Sequence, residues 1–328
     1  LIELIPCAEM VRFGKNGSDV TSAAIRLARA YTGRDRIAVG GYHGWHDWYI
    51  GTTTRNLGVP KVIQDLSSKF IFNDPDSLES LLKADPNGFA AVILEPSGVC
   101  EPENGFLERV RELCDQYGVV LVFDEIVTGF RINMGGAQKK YGVTPDLSSF
   151  GKSMANGMPI SAIVGKFEIM KLMDDIFFSG TFGGETLSLA ASLATITKLE
   201  KINAPEVFER TGRTIRDAVQ SIITDFELDD IVSVVGVDWW PRIVVEAYGK
   251  NSQIEMTTLL RQELIEQGIF MGGGFNLSIA HNDESVIAET LHGIHQSFEK
   301  FSKYLKTDNP VSNLRGELIK PVFQVRSI

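Results

Sequence analysis

Lys152 lies in the run Ser149-Phe150-Gly151-Lys152-Ser153-Met154-Ala155-Asn156-Gly157-Met158-Pro159, after an apolar stretch and among small residues. A lysine that loses its proton through desolvation becomes a nucleophile toward a carbonyl. Most lysines are solvated surface, so this one decides nothing by itself. Upstream, Val119 to Arg131 reads Val-Val-Leu-Val-Phe-Asp-Glu-Ile-Val-Thr-Gly-Phe-Arg, an apolar strand that runs straight into two carboxylates. Open α/β sheets bind ligands at the carboxyl ends of their strands, which positions Asp124 for work. Facing a pyridine nitrogen, a buried carboxylate keeps that nitrogen protonated and makes the ring an electron sink. Two other readings stand beside this one: a metal site shared with Glu125, for which no His or further carboxylate is clustered nearby, and an Asp that caps a turn. A third candidate is Lys15-Asn16-Gly17-Ser18-Asp19, where a strand gives way to a helix. Unpaired N–H groups and the positive end of the helix dipole stabilise an anion there, with a hydroxyl from Ser18 and close backbone approach at Gly17. A plain N-cap by Ser18, followed by Asp19 in the first turn, accounts for the same residues.

The elements that must hold these residues alternate in the manner of βαβ units around a mainly parallel sheet. Strands are expected at Val11 to Phe13, Arg36 to Val39, Ala91 to Leu94, Val119 to Phe123, Leu147 to Phe150 and Ile160 to Val164. Between them, Ser18 to Tyr31 carries Ala24, Leu27, Ala28 and Tyr31 at helical spacing, and Gly105 to Tyr117 does the same with Phe106, Val110, Leu113 and Tyr117. From about Thr186 the texture changes to long helices, Thr186 to Lys201 and Pro205 to Asp225, then strands near Ile231 to Val237 and Ile243 to Ala247, then two more helices. The last, Glu284 to Tyr304, has a stripe of Ile287, Leu291, Ile294, Phe298 and Phe301. The expected organisation is α/β: a large domain over 1–200, a C-terminal α+β small domain over 201–305 and a polar tail, 306–328, of unassigned role.

A chain of 328 residues with 44% hydrophobic residues buries a large core. Against 42 acidic residues stand 32 basic ones, a formal charge of -10 that offers no field for a nucleic acid backbone or an anionic membrane. Cys7, Cys100 and Cys114 are odd in number and lack metal-ligand spacing, which fits a reducing cytoplasm. Apolar runs are strand-sized, too short to span a bilayer, and no signal-peptide layout heads the chain. The start at Leu1, with neither Met nor a cap signal, suggests that further residues precede it.

The set Asn16-Gly17-Ser18, Tyr42-His43-Gly44, Glu95-Pro96, Asp124 through Arg131, Gly151-Lys152 and Gly180-Thr181 resembles, in its order, the class III aminotransferases, fold type I enzymes that use pyridoxal 5'-phosphate (PLP). The 28-residue step from Asp124 to Lys152 is also similar, and the resemblance covers roughly Arg12 to Phe301. The wording Phe13-Gly14-Lys15-Asn16-Gly17-Ser18, with Tyr31-Thr32-Gly33-Arg34, is most similar to the glutamate-1-semialdehyde aminomutase branch and its relatives in polysaccharide and sugar biosynthesis. What the resemblance implies is a large domain built on a mostly parallel seven-stranded sheet, with Lys152 as the Schiff-base lysine and Asp124 as partner of the pyridine nitrogen. Tyr42 would stack on one face of the ring and Ile126 pack on the other. Asn16, Gly17 and Ser18 would hold the phosphate, and Gly180 and Thr181 would reach it from a neighbouring subunit, so a homodimer with shared sites is implied. No metal is.

Departures from the family pattern narrow the activity. In Gly272-Gly273-Gly274-Phe275-Asn276-Leu277-Ser278-Ile279-Ala280-His281 a glycine stands where the aminomutase carries a gating Glu, so release of the intermediate, as in an ordinary transaminase, is favoured. Val127 replaces a Gln of many class III enzymes. Glu185 stands where many relatives have Asn followed by Pro, and either contacts substrate or favours the start of the next helix. The expected activity is transfer of an amino group from an amino acid, by default glutamate, to a carbonyl acceptor such as a keto-sugar. Alternatives are an aminomutase-type isomerase and a PLP-fold protein without catalysis.

Overall fold

The computed structural model describes residues 1–272 and 274–320. Gly273, where the gating Glu of the aminomutase is missing, lies outside the described residues, as does the end of the tail.

Residues Leu1–Pro205 form one compact unit and a second begins at Glu206. The first is built on a seven-stranded sheet whose strands are β1 (Met10–Gly14), β2 (Arg36–Gly40), β3 (Ser67–Lys69), β4 (Phe89–Leu94), β5 (Val120–Asp124), β6 (Leu147–Phe150) and β7 (Ser161–Gly165), in the spatial order β1-β7-β6-β5-β4-β2-β3. The pairs β2–β3, β2–β4, β4–β5 and β5–β6 are parallel, whereas β7 runs antiparallel to both β6 and β1. All strands but β7 therefore point the same way. The reversal at β7 is not visible in the sequence pattern, because a buried strand is apolar on both faces whichever way it runs.

Alternation along the strands divides the core into two layers. Ile93 of β4 and Val120 and Val122 of β5 pack with Val20, Ala24, Leu27 and Ala28 of α1 (Gly17–Thr32). Their neighbours Val92, Leu94, Leu121 and Phe123 pack on the opposite face with Leu78 and Leu82 of α2 (Pro75–Ala84) and Leu107, Val110 and Leu113 of α3 (Phe106–Tyr117). These side chains are fully or almost fully buried, and each Val, Leu, Ile or Phe among them contributes about 1.5–3 kcal/mol. A one-residue slip of β4 or β5 would leave apolar groups on both faces but break the parallel ladder, so register rests on the backbone bonds and the crossover helices. Tyr31, placed by its spacing on the buried stripe of α1, is instead exposed. The helix is packed through the turns before it, with Leu27 and Ala28 buried.

The unit also contains α4 (Gly136–Tyr141), between β5 and β6, and α5 (Thr186–Lys201). The second unit comprises α6 (Ala204–Asp225), which begins just before the division, an antiparallel pair β8 (Val232–Val237) and β9 (Trp240–Val245), α7 (Gln253–Glu266) and α8 (Glu284–Leu305). Ile294, Phe298 and Phe301 of α8 are buried. The described part of the tail is tied to α7: Arg315 Nη2 lies 3.0 Å from Glu263 Oε1, and Ile319 N donates to Thr258 Oγ1 at 3.2 Å. Among the described residues no helix is long and apolar enough to cross a membrane.

Candidate active site

The carboxyl ends of β1, β2, β4, β5 and β6 all open on one edge of the sheet, and each delivers chemistry there. Directly after β1 comes Asn16, and Tyr42 and His43 follow β2. Glu95 follows β4, Asp124 ends β5 and Lys152 lies just beyond β6. Asp124 pairs in register with Ser149, so the aspartate and the lysine emerge side by side from adjacent parallel strands. That adjacency gives the 28-residue step its meaning, since it is one crossover through α4. A cavity of about 400 Å3 lies along this edge, lined by Asn16, Gly17, Ser18, Tyr42, Asp124, Ile126 and Lys152 among others.

At the start of α1 the cap is Asn16, not Ser18. The Asn16 side chain accepts from Asp19 N at 3.1 Å, while Asp19 accepts from Asn16 N and Lys15 N, both at 3.0 Å. Capping by Asn16 shifts the helix start one residue before Ser18 and frees the Ser18 hydroxyl from that task. Ser18 is buried in the first turn, where its Oγ accepts from Trp45 N at 3.3 Å. Gly44, at φ +98°, makes that approach feasible, because a Cβ there would collide with Ser18 Oγ. Gly17 packs closely against Ile126, whose side chain would sit 3.3 Å from an added Cβ and be crowded by it.

Asp124 is 4% exposed. Its Oδ1 accepts from Ile126 N at 3.2 Å, and its Oδ2 lies 2.8 Å from His43 Nδ1. With the carboxylate ionised, His43 donates from Nδ1. The other ring nitrogen, Nε2, is buried without a partner among the described residues, and the ring stacks on Trp48 with centroids 6.2 Å apart. Tyr42 N donates to Glu95 Oε2 at 2.9 Å. His43 and Glu95 are site residues that sequence reasoning quoted in motifs without giving them a role. For Glu95 a signal existed: like Asp124, it is an acid placed where an apolar strand ends. His43 and Asp124 are 81 residues apart, and no spacing rule links them.

Glu125 points away from the cavity and is fully buried. It accepts from Thr128 Oγ1 at 2.6 Å, Ala137 N at 2.7 Å and Gln138 N at 3.2 Å. Burial pushes its carboxyl above the usual range despite these donors. Among the described residues no group of three or more His, Cys, Asp or Glu is placed to hold a metal ion.

Lys152 has φ +38°, in the left-handed region that side chains other than glycine seldom adopt, and such strain marks functional positions. The residue is exposed and lines the cavity. Gly180 and Thr181 are exposed too, and neither lines the cavity. Glu185 caps α5, accepting from Leu187 N at 2.8 Å and Ser188 N at 3.1 Å, the helix-start alternative of the two given for it.

The family model for class III aminotransferases matches residues 1–246. The 3-aminobutyryl-CoA aminotransferase of Cloacimonas acidaminovorans is 39% identical over 93% of this chain and 74% of its own. The glutamate-1-semialdehyde 2,1-aminomutase of Ignicoccus hospitalis is 32% identical over 92% of this chain and 77% of its own. Among solved structures, the PLP internal aldimine form of the FumI protein of Sphingopyxis sp. MTA144 superposes with a TM-score of 0.85 at 26% identity, covering 95% of this chain and 75% of that one.

Proposed function

This chain belongs to the class III aminotransferases, with the mostly parallel α/β fold of PLP-dependent transaminases, and from that premise we propose that it moves an amino group from an amino-acid donor to a carbonyl acceptor, using PLP held at the carboxyl edge of its sheet. The observation that carries the reading is the meeting of a helix N-terminus, the buried Asp124–His43 pair and Lys152 on one cavity. The residues fit the cofactor on three counts. The α1 cap and the Ser18 hydroxyl suit a phosphate, the aromatic Tyr42 and apolar Ile126 that line the cavity suit a flat ring, and the buried Asp124, held by His43, suits a ring nitrogen that keeps its proton.

Bound there, PLP supplies an electron sink for carbanion chemistry at the amino acid Cα. Asp124 keeps a proton on the ring nitrogen, and His43 holds the Asp124 carboxylate in place and shares its charge. Tyr42 and Ile126 would pack against the ring. Lys152 Nζ would hold the cofactor and would move the proton at the donor Cα. Leu1–Pro205 is thus the cofactor-binding part. Gly180 and Thr181 serve the phosphate site of a second copy in a homodimer. Their exposure, together with that of Phe177, Phe182 and Leu187, supports this. A cytoplasmic setting fits the three free thiols.

For the acceptor, the wording of Phe13 to Ser18 favours a keto-sugar. A 3-oxoacyl thioester is the second reading, favoured by the 39% identity to a 3-aminobutyryl-CoA aminotransferase. A single-turnover screen decides between them. The visible absorbance of the lysine-bound cofactor should fade with an amino-acid donor and return only with the true acceptor. Conversion of glutamate-1-semialdehyde with no donor present would instead assign the aminomutase activity, and a protein that neither retains PLP nor responds to any donor would overturn the reading.

A further inference from the structure

An ion pair that amino transfer does not use joins the start of α1 to the start of α5. Lys15 Nζ lies 2.7 Å from Glu185 Oε1, donates to Pro159 O at 2.8 Å and reaches Ser188 Oγ at 3.5 Å. Its three N–H groups therefore have three acceptors. Lys15 also lines the cavity, whose other lining lysine is Lys152 and whose described lining includes no arginine. Lys152 is committed to the cofactor and the α1 N-terminus to its phosphate. An amino-acid donor brings a further negative charge into a cavity that already holds Asp124 and Glu95, and Lys15 is the lining cation left to meet it.

Glu185 is arranged to let go of that cation. Besides Lys15 it accepts from Leu187 N and Ser188 N at the positive end of α5. Lys15, foremost, and the Ser188 and Leu187 donors hold its carboxyl down to about 2. A carboxylate that took its place on Lys15 would leave it bonded to two backbone N–H groups, not stripped bare. Lys15 would keep Pro159 O. Exchange of one carboxylate for another at a partly exposed ammonium conserves charge and hydrogen bonds, so its free-energy cost is small.

We infer that Lys15 is a specificity-determining residue: a carboxylate of the substrate replaces Glu185 on its ammonium, and Glu185 holds the cation when no such substrate is bound. The inference rests on the aminotransferase reading of the cavity and makes acid-bearing donors the preferred class.

Glutarate, a dicarboxylate that cannot react, is the probe. Its binding to the PLP-loaded protein is measured by calorimetry, with glutaramide as the neutral control and PLP affinity measured separately by fluorescence titration. Lys15→Gln should weaken glutarate by about tenfold or more, Glu185→Gln should tighten it, glutaramide should not discriminate among the proteins, and PLP affinity should stay within about threefold throughout. Equal glutarate affinities in the three proteins, or no glutarate binding to any, would overturn the inference. Loss of PLP and glutarate by the same factor in Lys15→Gln would also overturn it, giving Lys15 to the cofactor phosphate. Should Lys15→Gln not fold, Glu185→Gln decides alone, because tighter binding is a gain that misfolding does not mimic. If the protein retains no PLP, the aminotransferase reading falls, and the glutarate comparison is made on the protein as isolated and judges Lys15 by itself.

Discussion

Asp124 and Asp146 are both buried and belong to neighbouring strands, yet they stand at opposite ends of the sheet and are treated in opposite ways. Asp146, just before β6, accepts from Leu121 N at 2.8 Å, Arg111 Nη1 at 2.9 Å and Lys166 Nζ at 2.6 Å. Burial pushes its carboxyl up, but Arg111, Lys166 and the Leu121 N–H outweigh it and hold the group below the usual range. Every one of those partners is structural: Asp146 ties α3, β5 and the end of β7 together at the amino edge. Asp124 has one backbone donor and one histidine, and faces a cavity. A closed set of partners holds the fold, whereas an open set leaves a carboxylate for something that is not protein. The carboxyl edge also carries the left-handed Lys152, so strain and open valence coincide there.

If the two edges divide labour in this way, substitutions at them should separate activity from stability. The largest effect belongs to Lys152→Ala, which should lower amino transfer by at least about a thousandfold while the thermal midpoint stays near that of the parent. A variant that kept most of its turnover in a coupled assay would remove Lys152 from the chemistry. Asp124→Asn should retain PLP, since the α1 start is separate, and lose about a hundred- to a thousandfold in turnover. Loss of cofactor in step with activity would show that Asp124 acts in binding.

At the other edge, Asp146→Asn should leave turnover per folded molecule unchanged and destabilise the protein by about 3 kcal/mol, because Arg111 and Lys166 lose their shared acid. The sign of its pH dependence follows from the lowered carboxyl. The stabilisation is present above the unfolded value of about 3.9 and is lost as pH falls through the lower folded value. Denaturant titrations of parent and variant should therefore differ at pH 7 and converge as pH falls below the unfolded value. A constant gap would point to packing, not charge.

The smallest effect concerns the thiols. Cys7 is pushed up to about 12 by burial, and Cys114 is pushed up further still, while Cys100 is exposed. A thiol reagent at pH 8 should titrate one cysteine in the native protein and three after unfolding. Fast reaction of a second native thiol would show that the layer around α3 or the Cys7 pocket opens readily.

The carboxyl edge was largely legible in the sequence because it is written locally. An apolar run ending in an acid, or a strand followed by a polar residue and Gly, marks a strand end wherever it occurs, and Asp124, Lys152 and Asn16 to Ser18 carry such marks. Relations between segments were not legible. The His43–Asp124 contact depends on β2 and β5 flanking β4, and strand order is set by crossovers that no periodicity reports. The edge strand Ser67–Lys69 carries no apolar signal, because its residues are polar and it is paired on one side only. Helix Pro75–Ala84 is written locally too, in an Asp74 cap, Pro75 in the first turn and Leu78 and Leu82 at a four-residue step. In the second unit, β9 begins at Trp240 and not at Ile243; Pro241 lies within it, at an edge position that tolerates proline.

The central claim is that Lys152 binds PLP at the cavity formed by the ends of β1, β2, β4, β5 and β6. Borohydride reduction of the PLP-loaded protein, followed by proteolysis and mass analysis of the peptides, tests it most directly. The account predicts one pyridoxyl label per chain, on the peptide that contains Lys152, and its absence from Lys152→Ala. A label on Lys15 or any other lysine in the parent protein, or none at all, would contradict it.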